Sequence, residues 1–86
     1  MALFHVISNF QYDFVLQILP VDTGNTMDEV AAAAALHSVG RRVAPRPDKV
    51  VRVRRQGVGQ FYARTAKLGE TDIKPMETLE FIFCDK

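Results

Sequence analysis

The chain has no tryptophan and only one cysteine, Cys84, among its 86 residues. A single thiol excludes an internal disulfide, so packing must hold the fold, and it fits a reducing compartment. There are only two histidines, His5 and His37. With Cys84 they fall on different predicted elements at no metal-ligand spacing. The phosphate-cradling Walker loop, the GxGxxG dinucleotide fingerprint and the HExxH zinc helix are all missing, and Gly57-Val58-Gly59 reads as two glycines in a turn. No uncharged apolar run approaches the roughly 18–20 residues of a membrane span. The N-terminus lacks a basic segment followed by an apolar one, so no signal peptide is expected. The carboxylates are scattered. Glu77 and Glu80 read as a solvated edge rather than an acid/base pair, and Cys84 has no base close in sequence. These gaps leave no catalytic group, cofactor or metal site expected in this chain.

What remains is enough for one domain, residues 1–86, with 48% apolar and 24% charged residues. Ala2 to Phe10 reads as a strand with Phe4, Val6, Ser8 and Phe10 on one face. Phe14 to Val21 reads as a second, antiparallel strand after a short connection at Gln11-Tyr12-Asp13, and Pro20 places it at a sheet edge or bulge. Thr26-Met27-Asp28-Glu29 matches a capping box, and the helix it opens runs to about Val39, with Gly40 as the left-handed stop. Met27, Val30, Ala31, Ala34 and Ser38 form the face toward the core, with His37 at its margin as a packed, hydrogen-bonded residue. The other side carries Ala32, Ala33, Leu36 and Val39. After its first turn this helix has no Asp, Glu, Lys or Arg, which leaves room for a second packing partner over Leu36 and the alanines.

Lys49 to Arg55 reads as a third strand, with Val51 and Val53 inward and Arg52 and Arg54 outward. Phe61 to Arg64 is a candidate short strand, and Thr71 to Lys74 a candidate helical turn. Thr78 to Cys84 is the last strand. Ile82 and Cys84 on its second face point to a central strand buried on both sides. This order of elements is similar to the ubiquitin-like β-grasp, an α+β fold with a mixed sheet of four to five strands packed on one helix and the first and last strands central.

The charge is distributed unevenly. Gly40 to Arg55 holds Arg41, Arg42, Arg46, Arg52, Arg54, Arg55 and Lys49 against one acid, Asp48, while the whole chain is only +1. A near-neutral chain with no aromatics between these arginines is a poor match for nucleic acid. Six arginines to one lysine favour geometric recognition of carboxylates by a protein partner. The candidate contact residues are Arg41, Arg42, Arg46, Arg52 and Arg54, with Leu36 on the helix as a second candidate. Arg42→Ala is expected to weaken assembly without changing the isolated fold.

Arg41-Arg42-Val43-Ala44-Pro45-Arg46 and Val51-Arg52-Val53-Arg54 resemble the small gamma subunit of bacterial toluene monooxygenase hydroxylases, toluene/o-xylene monooxygenase most closely. Asp13-Phe14, Met27-Asp28-x-Val30-Ala31, His37 and Ile73-x-Pro75-x-Glu77 extend the similarity over nearly the whole chain, and it is weakest from Gln56 to Gly69. The resemblance implies a ubiquitin-like, non-catalytic subunit in a hydroxylase with two copies each of alpha, beta and gamma chains. The alpha chain of that family holds a carboxylate-bridged diiron centre that hydroxylates aromatic rings. Electrons arrive from NADH through a flavin and iron–sulfur reductase and a Rieske ferredoxin, and a small effector protein regulates the hydroxylase. Neither nucleic acid nor membrane is an expected partner, and the expected location is the bacterial cytoplasm. Two other readings of the fold are a free RNA- or protein-binding module and a sulfur carrier or modifier. The latter needs a C-terminal Gly-Gly, where this sequence reads Phe-Cys-Asp-Lys.

Overall fold

The computed structural model describes residues 2–86. The elements run β1 (Leu3–Phe10), β2 (Gln17–Asp22), α1 (Met27–Ser38), β3 (Lys49–Arg55), a 3-10 turn at Leu68–Glu70, and β4 (Thr78–Asp85). The strands form one sheet in the order β2-β1-β4-β3. β1 pairs antiparallel with β2 and parallel with β4, and β3 pairs antiparallel with β4. The first and last strands are therefore central, and Pro20 lies on an edge strand, where its missing N–H is tolerated.

Alternation along the strands sends one face to the helix. Val6 and Phe10 of β1, Leu19 of β2, Val53 of β3 and Leu79 and Phe81 of β4 are at most 1% exposed. Burying each such side chain contributes about 1.5–3 kcal/mol before entropy is counted. The helix meets this face with Met27, Val30, Ala31, Ala34 and Ser38, all buried. Its alanines allow close approach to the sheet. The capping box forms as the sequence requires. Glu29 N–H donates to Thr26 Oγ1 at 3.2 Å and Thr26 N–H donates to Glu29 Oε1 at 2.8 Å. Val39 closes the helix, and Gly40 follows at φ +79.

Several expectations are corrected. β2 begins at Gln17, not Phe14. A turn closes after β1, with Asp13 N–H donating to the Phe10 carbonyl at 3.0 Å and Tyr12 at φ +70. Asp13 Oδ1 then accepts the Val15 N–H at 3.0 Å, which holds the next residues out of the ladder. Phe61 to Arg64 is reduced to an Arg54–Phe61 bridge, with Tyr62 N–H on the Val53 carbonyl. The helical turn sits at Leu68–Glu70 rather than Thr71 to Lys74. Buried Leu68 anchors it, and both the Thr71 N–H and the Thr71 hydroxyl close onto the Leu68 carbonyl. His37 is exposed, because Ser38 occupies the buried position at this end of the helix. Ile82 and Cys84 are half-buried, and no second layer covers their face of the sheet among the described residues.

Candidate docking surface

Asp13 organises the surface from below. Its side chain is fully buried. Oδ1 accepts from Arg42 Nε at 2.7 Å and Oδ2 from the Ser38 hydroxyl at 2.7 Å. With the Val15 N–H, these donors stabilise the ionised form. The Arg42 bond leads, followed by Ser38 and Val15, and together they overcome burial and hold the carboxyl down at about 2. Arg42 also donates from Nη2 to the His37 carbonyl at 3.1 Å. One arginine thus ties the β1–β2 connection to the end of the helix.

The remaining arginines have different fates. On β3, Arg54 Nε bonds Glu80 at 2.7 Å, across the β3–β4 ladder. Arg55 binds Glu77 and, at 3.1 Å, Asp72. Arg52 Nη2 donates to the Tyr62 carbonyl at 2.9 Å, while its buried Nε has no partner. Phe61 lies under both Arg52 and Arg54, with each guanidinium 5.4 Å from the ring centre. Lys49 pairs with Asp85. In the connection before β3, Arg41 and Arg46 are exposed. Neither forms an ion pair among the described residues. Arg41 reaches only the Leu36 carbonyl, at 3.4 Å. The Arg46 guanidinium lies 4.7 Å above the Tyr12 ring and 5.6 Å from Phe83, a placement attractive through the ring quadrupole.

Next to Arg46 lies a feature that the sequence pattern did not mark. Tyr12, Phe14, Leu16 and Ile18 are 62%, 87%, 61% and 61% exposed. The sequence pattern places Phe14 and Leu16 in a strand, where half of the side chains would be buried. A usable signal was present, because Phe14, Leu16 and Ile18 share one parity while Leu19 and Val21 take the other. An edge strand that is apolar on both parities leaves one side without a partner. Leu36 is 71% exposed on the outer face of the helix.

The other hollows offer no evident chemistry. A cavity of about 400 Å³ is bordered by Arg55, Phe61, Tyr62 and Asp72. There the Tyr62 hydroxyl already donates to Asp72 at 3.2 Å, and Asp72 is paired with Arg55. Among the described residues no group of three or more His, Cys, Asp or Glu is placed to hold a metal ion, and no helix is long and apolar enough to cross a membrane.

One helix packed on a mixed sheet in the order β2-β1-β4-β3 defines a class of fold, the ubiquitin-like β-grasp. A solved structure described as molecular mimicry of SUMO in DNA repair shares this fold at a TM-score of 0.72 and 7% identity, covering 95% of this chain and 92% of its own. The particular family is narrower. Residues 3–83 match the family model of toluene-4-monooxygenase system protein B (TmoB). The hydroxylase component subunit gamma of the toluene-4-monooxygenase system of Ectopseudomonas mendocina is 37% identical over 83 residues, 96% of this chain and 98% of that one. The oxygenase component subunit gamma of the alkene monooxygenase system of Xanthobacter autotrophicus is 45% identical over 47 residues, 55% of this chain and 53% of that one. A chain in the solved toluene 4-monooxygenase HD complex with the inhibitor 4-bromobenzoate superposes at a TM-score of 0.91 with 36% identity, covering 95% of this chain and 99% of its own. This chain belongs to the TmoB family.

Proposed function

We propose that this chain, as a single ubiquitin-like domain, is the non-catalytic gamma subunit of the hydroxylase in a multicomponent monooxygenase that oxidises toluene-type aromatic hydrocarbons. The observation that carries this reading is the near full-length match, in sequence and in fold, to a toluene-4-monooxygenase hydroxylase gamma chain. In this reading a large partner chain holds the diiron centre, and a medium chain completes an assembly with two copies of each subunit. An effector protein, a Rieske ferredoxin and an NADH-dependent reductase serve that assembly in the bacterial cytoplasm. This chain contributes shape and charge. Arg41, Arg46 and Leu36 form contacts to the large chain. Arg42, Arg52 and Arg54 contribute to that surface while each holds a partner within this chain.

Affinity purification of the tagged chain from its native host, followed by mass spectrometry and iron analysis, tests the proposal. Equal recovery with a large iron-containing chain and a second medium chain is expected. Recovery of the chain alone, or with RNA and no iron, would contradict it.

A further inference from the structure

Among the described residues, half of the exposed large apolar side chains fall in seven consecutive positions. Tyr12, Phe14, Leu16 and Ile18 are four of eight, the others being Leu3, Leu36, Val58 and Met76. Exposed apolar side chains concentrated in one segment are the kind of surface that marks interaction sites. We infer that the Tyr12–Ile18 arm, with Arg46 at its rim, is the anchor by which this chain seats in an apolar groove edged by carboxylates on another hydroxylase chain. The inference rests on the docking role proposed above and names the surface and the chemistry of its counterpart.

The arm is held in place before any partner arrives. The turn at Phe10–Asp13 is closed by a backbone bond, and the Asp13 carboxylate beneath it takes three donors from three different segments. Tyr12 occupies the left-handed region at φ +70, which is unfavourable for an aromatic residue. Its ring stays 62% exposed, although it stacks at 6.2 Å on Phe83. Core burial alone therefore does not account for a tyrosine here. Presenting the ring to a partner does account for it. Pre-ordered aromatic side chains lose little freedom on binding, and buried aromatics anchor interfaces.

Charge selects the occupant. The one acid of the arm, Asp13, is withdrawn from the surface and neutralised by Arg42, so the arm presents no negative charge. Arg46 lies over Tyr12, and Arg41 is exposed in the same connection. A second copy meeting this surface with its own would bring guanidinium against guanidinium. A partner with an apolar floor and Asp or Glu at the rim matches both parts.

The test is an incorporation competition. An untagged wild-type chain and a tagged variant are co-expressed with the remaining hydroxylase chains of the same bacterium, and mass spectrometry reads their ratio in the purified assembly. Phe14→Ser and Leu16→Ser alter exposed side chains, and a thermal melt of each isolated variant checks that it folds. Each is expected to be depleted at least about tenfold relative to wild type. Leu3→Ser, an exposed leucine at the far end of β1, is expected to stay within about twofold. Arg46→Glu is expected to be depleted as well. Incorporation of Phe14→Ser and Leu16→Ser at the wild-type ratio would overturn the arm while leaving the docking role intact. Failure of the wild-type chain itself to enter the assembly would overturn both. A homodimer of the isolated chain that Phe14→Ser disperses would overturn the choice of occupant.

Discussion

The two halves of the arginine-rich stretch use the same residue differently. On β3, Arg54 and Arg55 are matched to acids of β4 and of the segment before it, and Arg52 is held by a carbonyl and an aromatic ring. In the preceding connection, Arg42 is an internal tie, while Arg41 and Arg46 have no carboxylate in the described chain. A strand places its outward side chains opposite a neighbouring strand, so cross-strand acids can meet them. A connection that follows a helix C-terminus and contains Pro45 and Pro47 has no such neighbour. Local positive charge alone therefore does not identify an interface. Arg41 and Arg46, exposed and without an internal acid, are the arginines left available to a partner, and Arg46 lies over Tyr12 of the arm.

Breaking Asp13 is expected to have the largest effect on stability. Asp13→Ala removes the acceptor of Arg42, Ser38 and Val15 and should cost about 2 kcal/mol, or roughly 10 °C in melting temperature for a domain this size. A melt within about 2 °C of wild type would mean that the arm is not held from below.

Acid should remove much of the same stabilisation without a mutation. The folded Asp13 carboxyl titrates at about 2, below the unfolded value of about 3.9. Its contribution is therefore complete above pH about 4 and is lost as pH falls toward 2. The stability gap between wild type and Asp13→Asn should be level near neutrality and narrow progressively below pH about 4. A gap that widens in acid would contradict the assignment of Asp13 as an ionised acceptor.

The contrast between the two halves predicts smaller, separable effects. Arg54→Ala should lower stability by about 1 kcal/mol, through loss of a partly buried, charge-assisted bond to Glu80. Arg41→Ala should leave unfolding unchanged within about 0.5 kcal/mol, because its side chain bonds only a carbonyl at 3.4 Å. Denaturant titration of both variants decides this. If Arg41 proved the costlier of the two, the division between internal and available arginines would fail.

The helix was legible because local signals agreed, and the sheet order came from the likeness of the element order to the β-grasp, not from any local pattern. The capping box, the Met27, Val30, Ala31 and Ala34 spacing and Gly40 all mark one helix, and the strand alternation correctly put Val53 inside and Arg54 outside. The start of β2 was not legible. Phe14 to Leu16 have strand composition, but the Asp13–Arg42–Ser38 tie, which spans residues 25 and 29 positions away, keeps them out of the ladder. No pattern in one chain announces such a contact. The same tie engages Arg42, a contact candidate in the sequence, inside the fold. Arg41, Arg46 and Leu36 were accessible to sequence reasoning as charge and as an apolar position. Phe14 and Leu16 were missed because aromatic and aliphatic residues in a predicted strand are taken as core, and Tyr12 lay in the predicted connection, where nothing marked it.

The central claim is that this chain docks through the arm and the neighbouring free arginines rather than through β3. Amide hydrogen exchange, compared between the free chain and the purified hydroxylase assembly, tests it most directly. The account predicts added protection in the assembly at residues 12–18 and 41–46, with little change at 52–55. Protection confined to 52–55, with residues 12–18 exchanging as they do in the free chain, would contradict it.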